Sequence, residues 1–298
     1  MKLLDRAIAS ALPIVPKAIV HRVAKRYIAG ETTIDALRVA SHLNSKGLLA
    51  TMDILGEHVH TLDLAKRAVS RYSNLLGEIH ARKIQSGVSI KLTQFGLKVD
   101  KQACIDLTAS IVRRANEFGN FVRIDMEDSS CTSDTLDVYR TLRREYSNVG
   151  VVLQAYLRRT MDDVAKLADL APNYRLCKGV YVEPPEIAFP DMSAINQNYI
   201  RILDQLFRNG SRVCIATHDG FIIQEAYRLI RELKITEAGY EFQMLLGVRE
   251  DLRDKIVATG HPLRVYIPFG PDWYAYSVRR LRENPQLAGY VMKALFKR

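Results

Sequence analysis

Eight short apolar stretches recur along this chain: "LLATMDIL", "GVSIKLTQF", "FVRIDME", "VGVVLQAYL", "YRLCKGVYV", "SRVCIATHD", "AGYEFQML" and "LRVYIPFG". Segments of helical length and pattern stand between them, among them "DKQACIDLTASIVRRANEF", "DVAKLADL", "INQNYIRILDQLFRNG" and "FIIQEAYRLIRELKI". No other feature constrains the fold as tightly. A strand that is nearly all apolar is buried on both faces, which happens in parallel sheets covered by helices. Parallel neighbours need long crossovers, and the intervening helices supply them. Eight strand–helix units in about 240 residues fit a closed (βα)8 barrel. An open, doubly wound sheet is the alternative α/β arrangement, but no G-x-G-x-x-G follows the first strand.

The repeat begins near residue 48 of 298. We therefore expect residues 1–45 to form a helical segment packed on the barrel, and residues 46–298 to form the barrel itself. The formal charge of +10 raises the question of nucleic acid or membrane. Its basic residues are scattered, with no zinc-finger, RRM or KH signature, so no nucleic-acid partner is expected. Four distant cysteines without C-x-x-C spacing, Cys104, Cys131, Cys177 and Cys214, fit reduced thiols in a cytoplasmic protein. In "MKLLDRAIASALPIVPKAIVHRVAKRY", Asp5 and two prolines interrupt the apolar run. It falls short of the ~20 apolar residues of a spanning helix. Basic residues from Lys17 to Arg26 leave room for peripheral contact with the inner face of the cell membrane.

Polar residues collect where the strands should end: Lys91; Asp125 and Glu127; Gln154; Arg175 and Lys178; Thr217, His218 and Asp219; Glu241 and Gln243; Tyr266. Barrel active sites form at that end. Each alone is explained by a satisfied buried side chain or a solvated loop start. Their repetition at the same end of successive strands points to a functional ring. Lys91, Arg175 and Lys178 make it cationic, which suits a carboxylate or phosphate. Metal catalysis finds little support, since the seven histidines show no H-x-H or H-E-x-x-H spacing. No G-x-S-x-G is present. Lys178 as a Schiff-base lysine and Asp125 with Glu241 as a glycosidase pair remain open alternatives. Near the C-terminus, "DWYAYSVRRLREN" places Tyr274, Val278 and Leu281 on one helical stripe, and Tyr276, Arg279, Arg280 and Glu283 on the other. Taken alone, this is an amphipathic helix with a wet face.

The blocks "IKLTQFG", "FVRIDMED", "VVLQAYL", "RLCKGVYVEP", "ATHD", "YEFQMLLGVR", "RVYIPFG" and "YSVRRLREN" resemble, in order, those of flavin-dependent proline dehydrogenases of the short, single-function bacterial type. The resemblance spans about residues 20–285, and R-L-x-K-G combined with Y-x-x-R-R-x-x-E is its most specific part. It implies a distorted (βα)8 TIM-type barrel with a final helix over the mouth and FAD held without a covalent link. It also implies oxidation of L-proline to 1-pyrroline-5-carboxylate, by hydride transfer from C5 to flavin N5, with a quinone as electron acceptor. Lys91, Arg279 and Arg280 would then grip the proline carboxylate, with Glu283 holding the arginines. Tyr266 and Tyr276 would pack on the pyrrolidine ring, and the bulk of Tyr266 would favour proline over hydroxyproline. Asp125 and Arg175 would be the catalytic pair, Arg175 also lying beside the flavin. Met126, Gln154, Lys178, Gly179, Val180, Thr217 and His218 match positions that hold FAD. Asp219 departs from the asparagine common after Thr-His in relatives.

Overall fold

The computed structural model describes residue 24, residues 26–274 and residues 276 and 277. Its helices start where Thr or Asp precedes an apolar repeat. Thr32 opens α1 (Thr33–Asn44) with a reciprocal cap: its Oγ1 accepts from the Asp35 amide, and Asp35 accepts from the Thr32 amide, both at 3.2 Å. Thr61, Asp100 and Asp128 cap α2 (Leu62–Ala81), α3 (Lys101–Glu117) and α4 (Ser129–Glu145) through one side-chain acceptor each. After α5 (Thr160–Leu167), which lacks such a cap, Asp191 and Asp219 cap α6 (Met192–Arg208) and α7 (Gly220–Glu232). Each cap contributes about 1 kcal/mol. Helix α8 (Glu250–Ala258) follows without a side-chain cap.

Between the helices run β1 (Leu49–Ile54), β2 (Ser86–Ile90), β3 (Val122–Ile124) and β4 (Val149–Gln154). They continue with β5 (Asn173–Cys177), β6 (Arg212–Ala216), β7 (Tyr240–Leu245) and β8 (Leu263–Phe269). All pair in parallel with their sequence neighbours. The barrel closes where β1 meets β8, from Leu49 opposite Arg264 to Ile54 opposite Phe269. Each apolar stretch quoted above overlaps one strand. Every residue of β2 and β4 is buried, as the continuous apolar runs require.

Most of the stretches overrun the strands at their C-terminal ends. β2 stops at Ile90, and Lys91 leads into a 3-10 turn at Leu92–Phe95. β5 stops at Cys177, and Gly179, at φ +103°, cannot continue a strand. The core is continuous from the barrel wall into the helices. Tyr72 of α2 and Tyr199 of α6 are fully buried and reach the strands: the Tyr199 hydroxyl donates to Leu176 O at 2.7 Å. Helix α1 turns Ala36, Leu37, Ala40 and Leu43 inward and covers the seam between β1 and β8. A helical turn starts at Trp273, directly after β8. Among the described residues, no helix is long and apolar enough to cross a membrane.

Candidate active site

The C-terminal ends of the strands surround a cavity of about 670 Å³. Lys91, Asp125, Met126, Gln154, Arg175, Lys178, Gly179, Val180, Thr217, His218, Tyr266 and Tyr276 all line it. Every described residue to which the resemblance gives a role therefore meets in one space, whereas Glu127 and Glu241 of the ring do not line it. Arg279, Arg280 and Glu283 lie outside the described residues.

The charges in this mouth are arranged in pairs. Lys91 Nζ lies 2.7 Å from Asp53 Oδ2, with the two side chains 9% and 0% exposed. Arg175, from the middle of β5, donates through one terminal nitrogen to Asp125 Oδ1 at 2.5 Å. Lys178 Nζ donates to Asp219 Oδ2, also at 2.5 Å. Each of the three described cations expected to make this ring positive thus has its own carboxylate. An ammonium or guanidinium out of water costs several kcal/mol unless paired, and the pairing partners come from neighbouring strands and loops.

Asp53 was not singled out in the sequence, although it sits near the end of β1 as Lys91 does at the end of β2. Tyr72 holds it in place: the hydroxyl lies 3.1 Å from Asp53 Oδ1 and 2.8 Å from Ser89 O, and accepts from the Ile54 amide at 3.0 Å. Burial lowers the Lys91 pKa, but Asp53 and then Asp125 more than reverse this, so the ammonium is held above its usual range.

Asp125 has both oxygens engaged. Its Oδ2 accepts from the Tyr266 hydroxyl at 2.9 Å. Burial, and then the Asp125 and Asp53 carboxylates, push the Tyr266 phenol well above its usual pKa, so it remains a donor. The Arg175 guanidinium lies 5.2 Å from the Tyr266 ring centre, a cation–π contact. Its other nitrogens donate to Gln243 Oε1 at 2.5 Å and Ser89 Oγ at 3.0 Å. Gln243 in turn donates to Glu241 Oε1 at 2.6 Å, and Arg264 Nε donates to the same atom at 2.6 Å. One hydrogen-bonded chain therefore runs from Arg264 through Glu241, Gln243, Arg175 and Asp125 to Tyr266.

Glu241 sits at the second position of β7, below the mouth, and lines a different cavity from Asp125. That corrects its placement at the strand end and removes the glycosidase pairing, since the two carboxyls do not face one space. Lys178 is likewise poorly set as a Schiff-base nucleophile, because its Nζ is tied to Asp219 Oδ2 at 2.5 Å. For Asp219, burial raises the pKa, but the bond and charge of Lys178 together with bonds from the Phe221 amide and Asn196 outweigh it, leaving the carboxyl below its usual range. The aspartate found after Thr-His thus has a counter-ion here. Glu127 makes no ion pair among the described residues; Thr93 donates to it through its amide at 3.0 Å and its hydroxyl at 2.5 Å.

The far side of the cavity carries the positions matched to a cofactor. Gln154 donates through Nε2 to the Met126 and Glu127 carbonyls at 3.4 and 3.3 Å. Its Oε1 is buried and meets no donor among the described residues. Any side chain at Gly179 would place its Cβ 2.1 Å from the Tyr156 ring. His218 Nε2 accepts from the Leu245 amide at 2.9 Å, which fixes the neutral tautomer with hydrogen on Nδ1. The buried acceptor, the bare glycine backbone and the room beside Met126 and Val180 fit a flat heteroaromatic group.

A (βα)8 barrel with a ligand-sized polar cavity at its C-terminal mouth defines the class: a barrel enzyme whose loops carry the chemistry. The chain matches the family model described as Proline dehydrogenase over residues 36–293, and it belongs to that family. It is 38% identical over 279 residues to the proline dehydrogenase of Deinococcus radiodurans, covering 92% of this chain and 90% of the relative. Proline dehydrogenase 1 of Bacillus subtilis strain 168 is 35% identical over 275 residues, covering 92% and 91%. In structure, the chain is similar to proline utilization A from Bdellovibrio bacteriovorus, inactivated by N-propargylglycine. That likeness has a TM-score of 0.83 at 28% identity, covering 89% of this chain and 33% of that longer one. The protein is an oxidoreductase of proline catabolism, from a family that depends on flavin.

Proposed function

We propose that this enzyme binds FAD without a covalent link in the mouth cavity and oxidises L-proline to 1-pyrroline-5-carboxylate, the first step of proline breakdown. The observation that carries this reading is the convergence on one cavity of every described residue to which the family resemblance gives a role. Bound FAD would supply a two-electron acceptor, taking at N5 the hydride from proline C5 as the substrate nitrogen gives up its proton.

The chain's own residues supply position and charge. Tyr266 and Tyr276 offer ring faces to the pyrrolidine, and the size of Tyr266 favours proline over its hydroxylated analogue. Arg279 and Arg280 grip the carboxylate. Lys91 adds to the field there, although its pairing with Asp53 leaves most of the clamp to the arginines. With both oxygens bonded, Asp125 orders Tyr266 and Arg175 rather than taking a proton. Arg175, braced by four partners, holds positive charge beside the cofactor, where negative charge develops. Met126, Lys178, Val180, Thr217 and His218 complete the FAD site, and Gly179 lets the backbone approach it.

Electrons leave to a quinone, and the basic surface brings the protein to an anionic membrane. Liposome flotation tests that last point, and an unchanged distribution would count against it. The reaction is tested by incubating the purified chain with L-proline and a soluble quinone and quantifying pyrroline-5-carboxylate. Absence of product with flavin bound would overturn the assignment. Replacing Arg279 or Arg280 by Lys exchanges a fork for a point charge and should raise the proline KM sharply.

A further inference from the structure

A second cavity, of about 210 Å³, lies inside the barrel beneath the first. Arg175 and Gln243 form part of the wall of both. Its lower lining brings together three more arginines, Arg123 of β3, Arg212 of β6 and Arg264 of β8, against a single carboxylate among the described residues, Glu241. Arg175 is neutralised from above by Asp125. Glu241 is shared between Arg264 Nε at 2.6 Å and a terminal nitrogen of Arg212 at 3.4 Å. Three guanidinium charges against one carboxylate leave an excess of two positive charges around this space.

Arg123 makes the excess most acute. It is 3% exposed and forms no ion pair among the described residues. Its nitrogens donate to neutral acceptors: the Val151 carbonyl at 3.0 Å, and the Asn173 carbonyl and side-chain oxygen at 2.6 and 2.5 Å. The strand beside it is shaped for this, since a Cβ on Gly150 would lie 2.4 Å from an Arg123 terminal nitrogen. Burial, aided by the charge of Arg175, pushes the Arg123 pKa down to about 10. A guanidinium still remains protonated at neutral pH, so the charge cannot be relieved by losing a proton. The remaining way to balance buried positive charge is a counter-ion. Arg212, whose side chain is 37% exposed, places this cavity in reach of solvent at its rim.

The geometry points to an anion-binding site at the N-terminal end of the barrel, formed by Arg123, Arg212 and Arg264 and suited to a small oxyanion such as inorganic phosphate or sulfate. Several guanidinium forks around one space match the divergent oxygens of an oxyanion better than they match a spherical halide. The space is also much larger than a halide requires. The site is separate from the proline and flavin positions at the mouth, with Arg175 and Gln243 standing between.

Thermal unfolding of the flavin-loaded enzyme, titrated with sodium phosphate and, at matched ionic strength, with sodium chloride, tests the proposal. Phosphate should raise Tm saturably and chloride should not. Arg212→Gln, at the half-exposed rim, should fold, retain proline turnover and lose the phosphate-dependent rise. Arg123→Gln should lose it as well where it folds, but the outcome rests on Arg212→Gln. Equal shifts with both salts would reduce the effect to ionic strength and overturn the site. So would a phosphate shift that persists in Arg212→Gln, or one that saturating proline abolishes, since the anion would then be bound at the mouth.

Discussion

Removing the Asp53 charge tests the account of the mouth most sharply, because this residue bears on Lys91 without being expected to touch substrate. In Asp53→Asn the side chain keeps its shape, and its oxygen remains available to the Tyr72 hydroxyl. What disappears is the counter-charge 2.7 Å from Lys91 Nζ. Neither side chain is exposed enough for solvent to screen the pair. Leaving one partner of such a buried pair alone costs about 3–5 kcal/mol. At about 2–4 °C per kcal/mol for a domain of this size, Tm should fall by roughly 6–20 °C.

The loss should also depend on pH in a definite sense. In the native enzyme the Lys91 pKa is held above the ordinary 10.5, so its contribution is fully present below that value and lost only as pH rises through the folded pKa. In Asp53→Asn, burial acts on Lys91 with its main opponent gone, and the folded pKa drops. The unfolded chain then binds more protons than the folded one, so the variant gains stability as pH rises. Differential scanning calorimetry of both proteins from about pH 7 to about pH 10 should show the gap narrowing. A Tm loss below ~2 °C, or a gap that stays constant with pH, would refute the buried-pair argument.

Three further outcomes follow from the same geometry. Tyr266→Phe keeps the ring and removes only the bond to the charged Asp125 acceptor; this should lower kcat/KM about 10- to 150-fold with little change in fold, measured by steady-state kinetics and circular dichroism. Gly179→Ala forces a Cβ to within 2.1 Å of the Tyr156 ring at a φ of +103°, and should reduce the flavin bound per chain, read from the ratio of visible to ultraviolet absorbance. The Glu241 carboxyl is raised by burial but held down to about 2, chiefly by Arg264. Its contribution is present above the ordinary 4.5 and lost as pH falls toward 2, so Glu241→Gln should flatten that part of the acid-unfolding curve.

Much of this architecture was legible in the residues. Buried parallel strands leave near-continuous apolar runs, so β1 to β8 could be located, and the helical patterns between them could be placed to within a few residues. The polar residues at strand ends were legible for the same reason: Lys91 or Gln154 has no place in an apolar run unless something there needs it. Their partners were not. Lys91 meets Asp53 across 38 positions and Arg175 meets Asp125 across 50, separations set by the closure of the barrel. A ring of cations in sequence thus became a ring of ion pairs in space. Glu241 was placed too high because alternation along β7 shows that it points into the barrel but not at which level. Arg123, inside "FVRIDME", read as part of a strand, and nothing in its neighbourhood showed that it would lie buried across Gly150.

The most direct test of the central claim is an anaerobic titration of the purified enzyme with L-proline, followed in the visible spectrum. The oxidised flavin bands should be present at the start and bleach as proline is added, with pyrroline-5-carboxylate appearing in equal amount to the flavin reduced. A protein that binds flavin at the mouth yet keeps its oxidised spectrum under saturating proline would contradict the account.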